Sequence, residues 1–137
     1  SLEKRINFLN TVISATGITG IKAVHGRAED FGKIDVYRER FDISVARAVA
    51  SLPILLEYCL PFVKVGGIFI AMKGSNAEEI GNSKKALDIL GGEIEKVEQF
   101  SLPFDDIRRS IIIIKKLRHT PTKYPRKAGK PSKEPLI

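Results

Sequence analysis

Apolar patterns of helical and strand type alternate along residues 1–117, and this alternation constrains the fold more than any other feature of the sequence. Leu2, Ile6, Leu9 and Ile13 recur at helical spacing, whereas residues 68–74 form a short apolar run of the length of a central parallel strand. The predicted order is helix, strand, strand, helix, strand, helix, strand, strand. Such an order predicts an α/β layered domain whose last two strands form an antiparallel pair.

Glycines and prolines set the bounds of the predicted elements. The first helix ends before Gly17, and Gly91 ends the last one. The other elements are expected as a strand over 21–26, a buried strand over 41–50, a helix over 51–63, a strand over 68–74, a helix over 76–90 capped by Asn76, a strand over 92–102 and a strand over 108–117.

Composition excludes several classes of protein. A single cysteine, Cys59, excludes a disulfide framework and a zinc site of paired cysteines, and its apolar neighbours favour a buried structural thiol. His25 and His119 lie far apart in the sequence, so we expect no metal site. No run approaches the ~20 apolar residues that a membrane span requires, and the first residues lack the apolar core of a signal peptide. We therefore expect a cytoplasmic protein.

The excess of positive charge lies at the C-terminus. The last 23 residues hold eight Lys or Arg and one Glu, which accounts for the whole formal net charge of +7. Four of the seven prolines also lie there and disfavour a regular helix or a central strand. We therefore divide the chain into a domain of residues 1–118 and a basic, Pro-rich C-terminal arm of residues 119–137. An extended arm of this kind suits an RNA backbone, and the alternative is a solvated, disordered tail.

Polar groups follow the predicted strands at the carboxyl ends, where α/β sheets bind ligands. They lie in HGRAED (25–30), ARAVA (46–50) and MKGSN (72–76). Arg47 stands in an apolar strand, and since its charge cannot be removed it needs either a buried partner or a cleft. Lys73 either reaches solvent or holds phosphates. The usual phosphate-cradling motifs are missing, because the sequence has no G-x-G-x-x-G and GKPSK (129–133) cannot be a P-loop.

Four segments together resemble the C-terminal part of the GidB/RsmG family. They are SLEKRINFLN at the start, HGRAED followed by the arginine of ARAVA, EYCLPFVKVGGIFIAMKG, and the terminal KYPRKAGKPSKEPLI. Members of this family are bacterial enzymes that transfer a methyl group from S-adenosylmethionine to N7 of a guanine in 16S ribosomal RNA. The resemblance therefore implies a methyltransferase whose partner is 16S ribosomal RNA or the small ribosomal subunit.

The resemblance also implies that a part of the family fold is missing. The family fold is a Rossmann-like S-adenosylmethionine-dependent methyltransferase sheet, and this sequence corresponds to roughly its C-terminal three-fifths. We expect it to lack the first two strands and the glycine-rich cofactor loop. Those strands join the strand at Ile21 to the strand at Phe41, so we expect a gap in the sheet and no activity from this portion alone.

Individual residues take expected roles from the resemblance. Ala28 and Glu29 lie beside the adenine ring of the cofactor, and Arg47 lies next to the cofactor or the target base. The alternative for Glu29 is the solvated start of a short helix. Guanine N7 has an exposed lone pair and its methylation releases no proton from that atom, so no catalytic side chain is assigned and positioning is the protein's main task.

The residues expected to contact RNA are basic or aromatic. They are Lys73, Arg108, Arg109, Lys115, Lys116, Tyr124, Arg126, Lys127 and Lys130. Tyr124 either stacks on an unpaired base or packs back onto the domain with Pro125. Two other classes of function stay open: a non-catalytic RNA-binding module that uses the basic arm, and a nicotinamide-dependent enzyme, which the missing G-x-G-x-x-G disfavours.

Overall fold

The computed structural model describes residues 2–74 and 77–137. Its helices are α1 (Leu2–Thr16), α2 (Ala28–Phe31), α3 (Leu52–Cys59), α4 (Ala77–Gly81), α5 (Lys84–Leu90) and α6 (Lys130–Lys133). Its strands are β1 (Phe41–Arg47), β2 (Val63–Lys73), β3 (Gly92–Ser101) and β4 (Arg108–Lys116), and a short 3-10 helix, Leu60–Phe62, leads into β2. Asn76, the expected helix cap, lies outside the described residues.

The strands form one mixed sheet in the order β1-β2-β4-β3. β1 and β2 run parallel, with Arg47 opposite Met72 at their carboxyl ends. β4 pairs antiparallel with both β2 and β3. The predicted α/β class and the antiparallel pairing of the last two strands are therefore confirmed.

The hydrophobic core lies between the sheet and two of the helices. Phe69 of β2 and Ile112 and Ile114 of β4 point into it with none of their surface exposed. Leu56 of α3 and Leu90 of α5 cover them from the helical side and are equally buried. Side chains two residues apart on a strand point to the same face of the sheet, so these apolar side chains lie together on the face that the helices cover.

β1 is not the buried strand that its apolar sequence predicts. Phe41, Ile43 and Val45 are each close to half exposed. These three side chains share one face of β1, and the core lies on the opposite face, where Ala46 is buried. Within the described residues no strand pairs with the outer edge of β1 either, and the ring of Phe62, 6.3 Å from that of Phe41, gives only partial cover. The strand predicted over 21–26 is also wrong: the segment has no regular structure. A strand needs a neighbour to accept its backbone hydrogen bonds, and the described residues offer none there.

The helix predicted over 76–90 is interrupted. α4 and α5 are separated at Asn82 and Ser83, where the Ser83 hydroxyl donates to the carbonyl oxygen of Glu79 at 2.6 Å. Serine side chains that bond to the backbone in this way compete with the helix ladder. Gly91 ends α5 as predicted, with a φ of 87° in the left-handed region.

The C-terminal arm is packed against the domain rather than extended. The Arg38 guanidinium donates to the carbonyl oxygens of Tyr124 (2.7 Å) and Thr120 (2.8 Å). The Thr120 hydroxyl in turn donates to Leu90, and Leu136 is buried in the core. Prolines prevent a regular helix over most of this segment, but side chains of the domain satisfy its backbone groups instead.

Candidate functional site

A cleft of about 450 Å³ opens at the carboxyl ends of β1 and β2, which we call the carboxyl-end cleft. Arg47 ends β1, Lys73 ends β2, and Leu102 and Arg109 belong to the β3–β4 hairpin on the third side. This is the edge at which open α/β sheets bind ligands. The fold thus brings together Arg47 and Lys73, which the sequence placed at two separate strand ends.

Arg47 is an exposed cation at this cleft. Its side chain makes no hydrogen bond or ion pair with the part of the chain that the structure describes. It is therefore not a buried arginine held by a partner. Its planar guanidinium is available for bidentate contact with a phosphate or a carboxylate outside the protein.

Lys73 is held by internal partners. Its Nζ lies 2.9 Å from Oε2 of Glu79 and donates to the carbonyl oxygen of Ala50 at 2.8 Å. The same Glu79 oxygen accepts a hydrogen bond from the backbone of Leu52 at 3.0 Å. Lys73 therefore links the end of β2 to the starts of α3 and α4, and its charge is largely compensated before any ligand arrives.

The two arginines of the hairpin differ in their surroundings. Arg109 lines the cleft and its Nη2 lies 3.3 Å from Oδ2 of Asp105. Arg108 is exposed and has no ion pair among residues 2–74 and 77–137. An external anion therefore meets the full charge of Arg108 and Arg47 and a partly compensated charge on Arg109.

A second cavity of about 310 Å³ lies at the other end of the parallel strands. Ala28 lines it together with the aromatic rings of Phe31, Tyr37 and Phe62. Phe62 lies at the start of β2, whereas Arg47 lies at the end of the parallel strand β1. The two cavities therefore lie at opposite ends of β1, whose seven residues span about 20 Å. The structure therefore does not bring Ala28 and Arg47 together.

Glu29 is neither solvated nor open to a ligand. Only 5% of its surface is exposed, and its Oε1 accepts a hydrogen bond from the backbone of Gly129 at 2.9 Å. The carboxylate thus fixes the C-terminal arm. Among the described residues, Ala28, Glu29 and Arg47 therefore do not line one common cavity.

Tyr124 and Arg126 of the C-terminal arm are used inside the protein. The Tyr124 side chain belongs to the hydrophobic core, with 6% of its surface exposed. Arg126 forms a bidentate pair with Glu57, and this carboxylate holds the pKa of the guanidinium above its usual range. We therefore remove both residues from the expected RNA surface. Lys127 and Lys130 remain exposed.

A buried lysine is the feature that the sequence analysis missed. The Lys116 side chain is fully buried and donates to the carbonyl oxygens of Leu60 (2.7 Å) and Val63 (3.1 Å). Desolvation lowers its pKa, although the nearby carboxylate of Glu39, 3.1 Å away, opposes that change. The alternation of β4 could have predicted this burial, because Lys116 lies on the same inward-facing side of the strand as Ile112 and Ile114.

The described residues contain neither a candidate metal site nor a candidate membrane-spanning helix. They hold no group of three or more histidine, cysteine, aspartate or glutamate side chains that could bind a metal ion. None of their helices is both long and apolar enough to cross a membrane.

Comparisons with known proteins agree with one another. The family model for GidB, described as rRNA small subunit methyltransferase G, matches residues 1–112. A ribosomal RNA small subunit methyltransferase G of Acetivibrio thermocellus is 68% identical over 136 residues, which cover 99% of this chain and 56% of that protein. Proteins of the same name from Thermoanaerobacter sp. and Alkaliphilus oremlandii are 58% and 55% identical, with 99% of this chain and 57% of each relative covered. The chain therefore spans a little over half the length of the curated relatives that it matches.

Proposed function

This chain belongs to the GidB family of ribosomal RNA small-subunit methyltransferases, and from that premise we propose that it is part of an enzyme that methylates N7 of a guanine in 16S ribosomal RNA. The mixed sheet with its helices agrees with the Rossmann-like methyltransferase fold. The observation that carries the proposal is the 68% identity to a protein of that name over nearly the whole chain. The small ribosomal subunit or its RNA in the cytoplasm is the proposed partner.

The contribution of this chain is to hold RNA at the carboxyl-end cleft. A cavity of about 450 Å³ is within the usual range of ligand sites. Arg47 lines it and Arg108 directly precedes the lining residue Arg109, both with uncompensated charge among the described residues, and each contact of such a cation with a phosphate releases condensed counterions. Arg109 lines the wall, and Lys73 keeps the rim in place through Glu79.

Cofactor chemistry is assigned to the whole enzyme and not to these residues. Methyltransferases of this kind use S-adenosylmethionine in general, and the cofactor supplies both the methyl group and the leaving group. Ala28 and Arg47 lie in separate cavities and Glu29 is bound to Gly129, so these three residues do not form one cofactor site within this chain. We therefore derive no step through it.

The same separation favours a second candidate, in which this chain alone is an RNA-binding module. Calorimetric titration with S-adenosylhomocysteine distinguishes the two candidates when the chain is joined to the upstream portion of a relative: binding by the joined protein supports the enzyme, and no binding supports the RNA-binding module. The chain alone is expected to bind RNA and to give no heat with S-adenosylhomocysteine.

A chimaera tests the enzymatic proposal. The chain is joined to the upstream portion of the Acetivibrio thermocellus relative, and transfer of a tritiated methyl group from S-adenosylmethionine to unmethylated 30S subunits is measured. We expect transfer by the chimaera, none by the chain alone, and a loss of at least tenfold in the Arg47→Ala chimaera. Arg5→Ala, an exposed arginine on α1, is the matched control. A folded but inactive chimaera, under conditions in which the intact relative is active, would contradict the proposal.

A further inference from the structure

The tip of the β3–β4 hairpin presents an aromatic ring to solvent beside the carboxyl-end cleft. Phe100 and Leu102 line the cleft, and Phe104 follows two residues later with its side chain fully exposed. Isolated exposed apolar residues are common on protein surfaces. Phe104 differs from those because its backbone is also in an unfavourable conformation.

A tight turn holds this ring outward. The backbone of Asp105 donates to the carbonyl oxygen of Leu102 at 3.1 Å, which closes a four-residue turn with Pro103 at its second position. Phe104 occupies the third position with a φ of 64°. Proline second and a positive φ third are features of a type II turn, in which the third residue is normally glycine. A phenylalanine at that position costs stability that glycine would not.

Further contacts fix the turn against the cleft. Oδ1 of Asp105 accepts a hydrogen bond from the backbone of Ile107 at 2.8 Å, and Oδ2 lies 3.3 Å from Arg109. The ring is thus carried by an ordered hairpin. A strained conformation that the surrounding structure keeps in place is grounds for a functional hypothesis about the residue.

We propose that Phe104 stacks on an unpaired nucleobase of the RNA beside the carboxyl-end cleft, an inference that rests on the proposed function. Single-stranded RNA is commonly held by aromatic rings that stack on bases, next to cations that bind the backbone. Phe104 supplies the ring at the tip of the hairpin, Arg108 follows four residues later, and Arg47 lines the cleft, and both arginines are exposed without an ion pair in the described part of the chain. The arginines favour a polyanion over an apolar protein surface as the occupant.

Tryptophan fluorescence reports the stacking directly, because the chain has no Trp of its own. A Phe104→Trp variant is titrated with single-stranded oligoadenylate and, separately, with an RNA duplex of the same length. We expect saturable quenching by the single strand and much less by the duplex. Phe8→Trp on α1, where the native ring is 66% exposed, is the matched control and should stay unquenched.

A second set of variants separates stacking from folding. Phe104→Gly should weaken oligoadenylate binding roughly five- to a hundredfold, the range of a single base–aromatic stack, with an unchanged or higher thermal midpoint because glycine relieves the positive φ. Phe104→Tyr should retain the affinity. Full oligoadenylate affinity in Phe104→Leu would show that the aromatic ring is not required and would overturn the inference of base stacking.

The remaining outcomes also discriminate. If Arg47→Ala weakens binding and Phe104→Gly does not, the stacking inference is wrong while the RNA-binding cleft stands. An absence of oligoadenylate binding by the native chain overturns the inference as well. The proposed function is then tested separately by methyl transfer in the chimaera.

Discussion

The guanidinium of Arg126 donates two hydrogen bonds to the carboxylate of Glu57, from Nη2 to Oε2 at 2.7 Å and from Nε to Oε1 at 2.9 Å. Glu57 is 1% exposed, and the backbone of Arg126 donates to its Oε1 as well. These contacts bind residues 69 positions apart and anchor the C-terminal arm to α3.

Removal of the arginine should therefore destabilise the fold. In Arg126→Ala the Glu57 carboxylate stays buried without its partner, and the expected loss is about 3 kcal/mol in the free energy of unfolding. Chemical denaturation measures this loss. Lys127→Ala, the exposed neighbour, is the control and should change stability by less than about 0.5 kcal/mol. Equal midpoints for the two variants would show that the pair does not anchor the arm.

Stability should fall in acid because of Glu39. Desolvation raises the pKa of this carboxyl, but hydrogen bonds from His119, Thr120 and Lys116 outweigh it and the pKa is lowered from 4.5. A depressed carboxyl pKa stabilises the fold above the unfolded value, and the stabilisation is lost as the pH falls through the folded value. Thermal midpoints from pH 6 down to about pH 3 should therefore drop less in Glu39→Gln than in the native chain.

The matched variant for that titration is Glu3→Gln. Glu3 is an exposed carboxylate on α1, so Glu3→Gln should show the same fall in thermal midpoint between pH 6 and about pH 3 as the native chain. If the native chain and Glu39→Gln lose stability in parallel over this range, the contacts to Lys116, His119 and Thr120 contribute no pH-dependent stability.

Cys59 should be unreactive in the folded protein. Burial raises the pKa of its thiol to about 12, although a hydrogen bond with Ser44 opposes the change. Because the thiolate is the nucleophile, modification by a thiol reagent at pH 8 should be slow in buffer and fast in denaturant. Equal rates in the two solutions would contradict the burial of this thiol.

Gly91 should tolerate no side chain. Its φ of 87° is left-handed, and a Cβ atom there would lie 2.4 Å from the backbone oxygen of Arg118. We expect Gly91→Ala to cost about 2 kcal/mol or more by denaturation, in the range for strained backbone positions. Gly81→Ala is the control, since a Cβ there meets nothing within 4 Å and alanine favours the helix. Similar midpoints for both variants would be inconsistent with the close approach of Arg118.

Local patterns predicted the elements whose partners lie within the chain. β4 carries its alternation in RRSIIIIKK, and α3 tolerates Pro53 in its first turn as expected. β1 forms as predicted, but its expected burial and the strand expected over 21–26 were wrong, because both depend on neighbouring elements that no local pattern records. The predicted place of the site, at the carboxyl ends, holds a cleft that contains Arg47 and Lys73.

The expected RNA surface near the C-terminus, in β4 and in the C-terminal arm, was predicted less well, and the cause is distance along the chain. Composition measures charge and proline content but not whether a cation has a buried partner elsewhere. Glu57 for Arg126, and Glu39 for Lys116, are such partners, at separations that periodicity does not reach. Charges counted as an RNA surface were therefore partly internal ion pairs.

We propose that the carboxyl-end cleft of this chain binds RNA through Arg47. The direct test is the salt dependence of 16S ribosomal RNA binding, measured by fluorescence anisotropy for the native chain, Arg47→Ala and Arg5→Ala. We predict weaker binding and a shallower slope of log affinity against log salt for Arg47→Ala, by roughly one unit for each lost phosphate contact, and native behaviour for Arg5→Ala. Identical affinity and slope in all three proteins would contradict the claim.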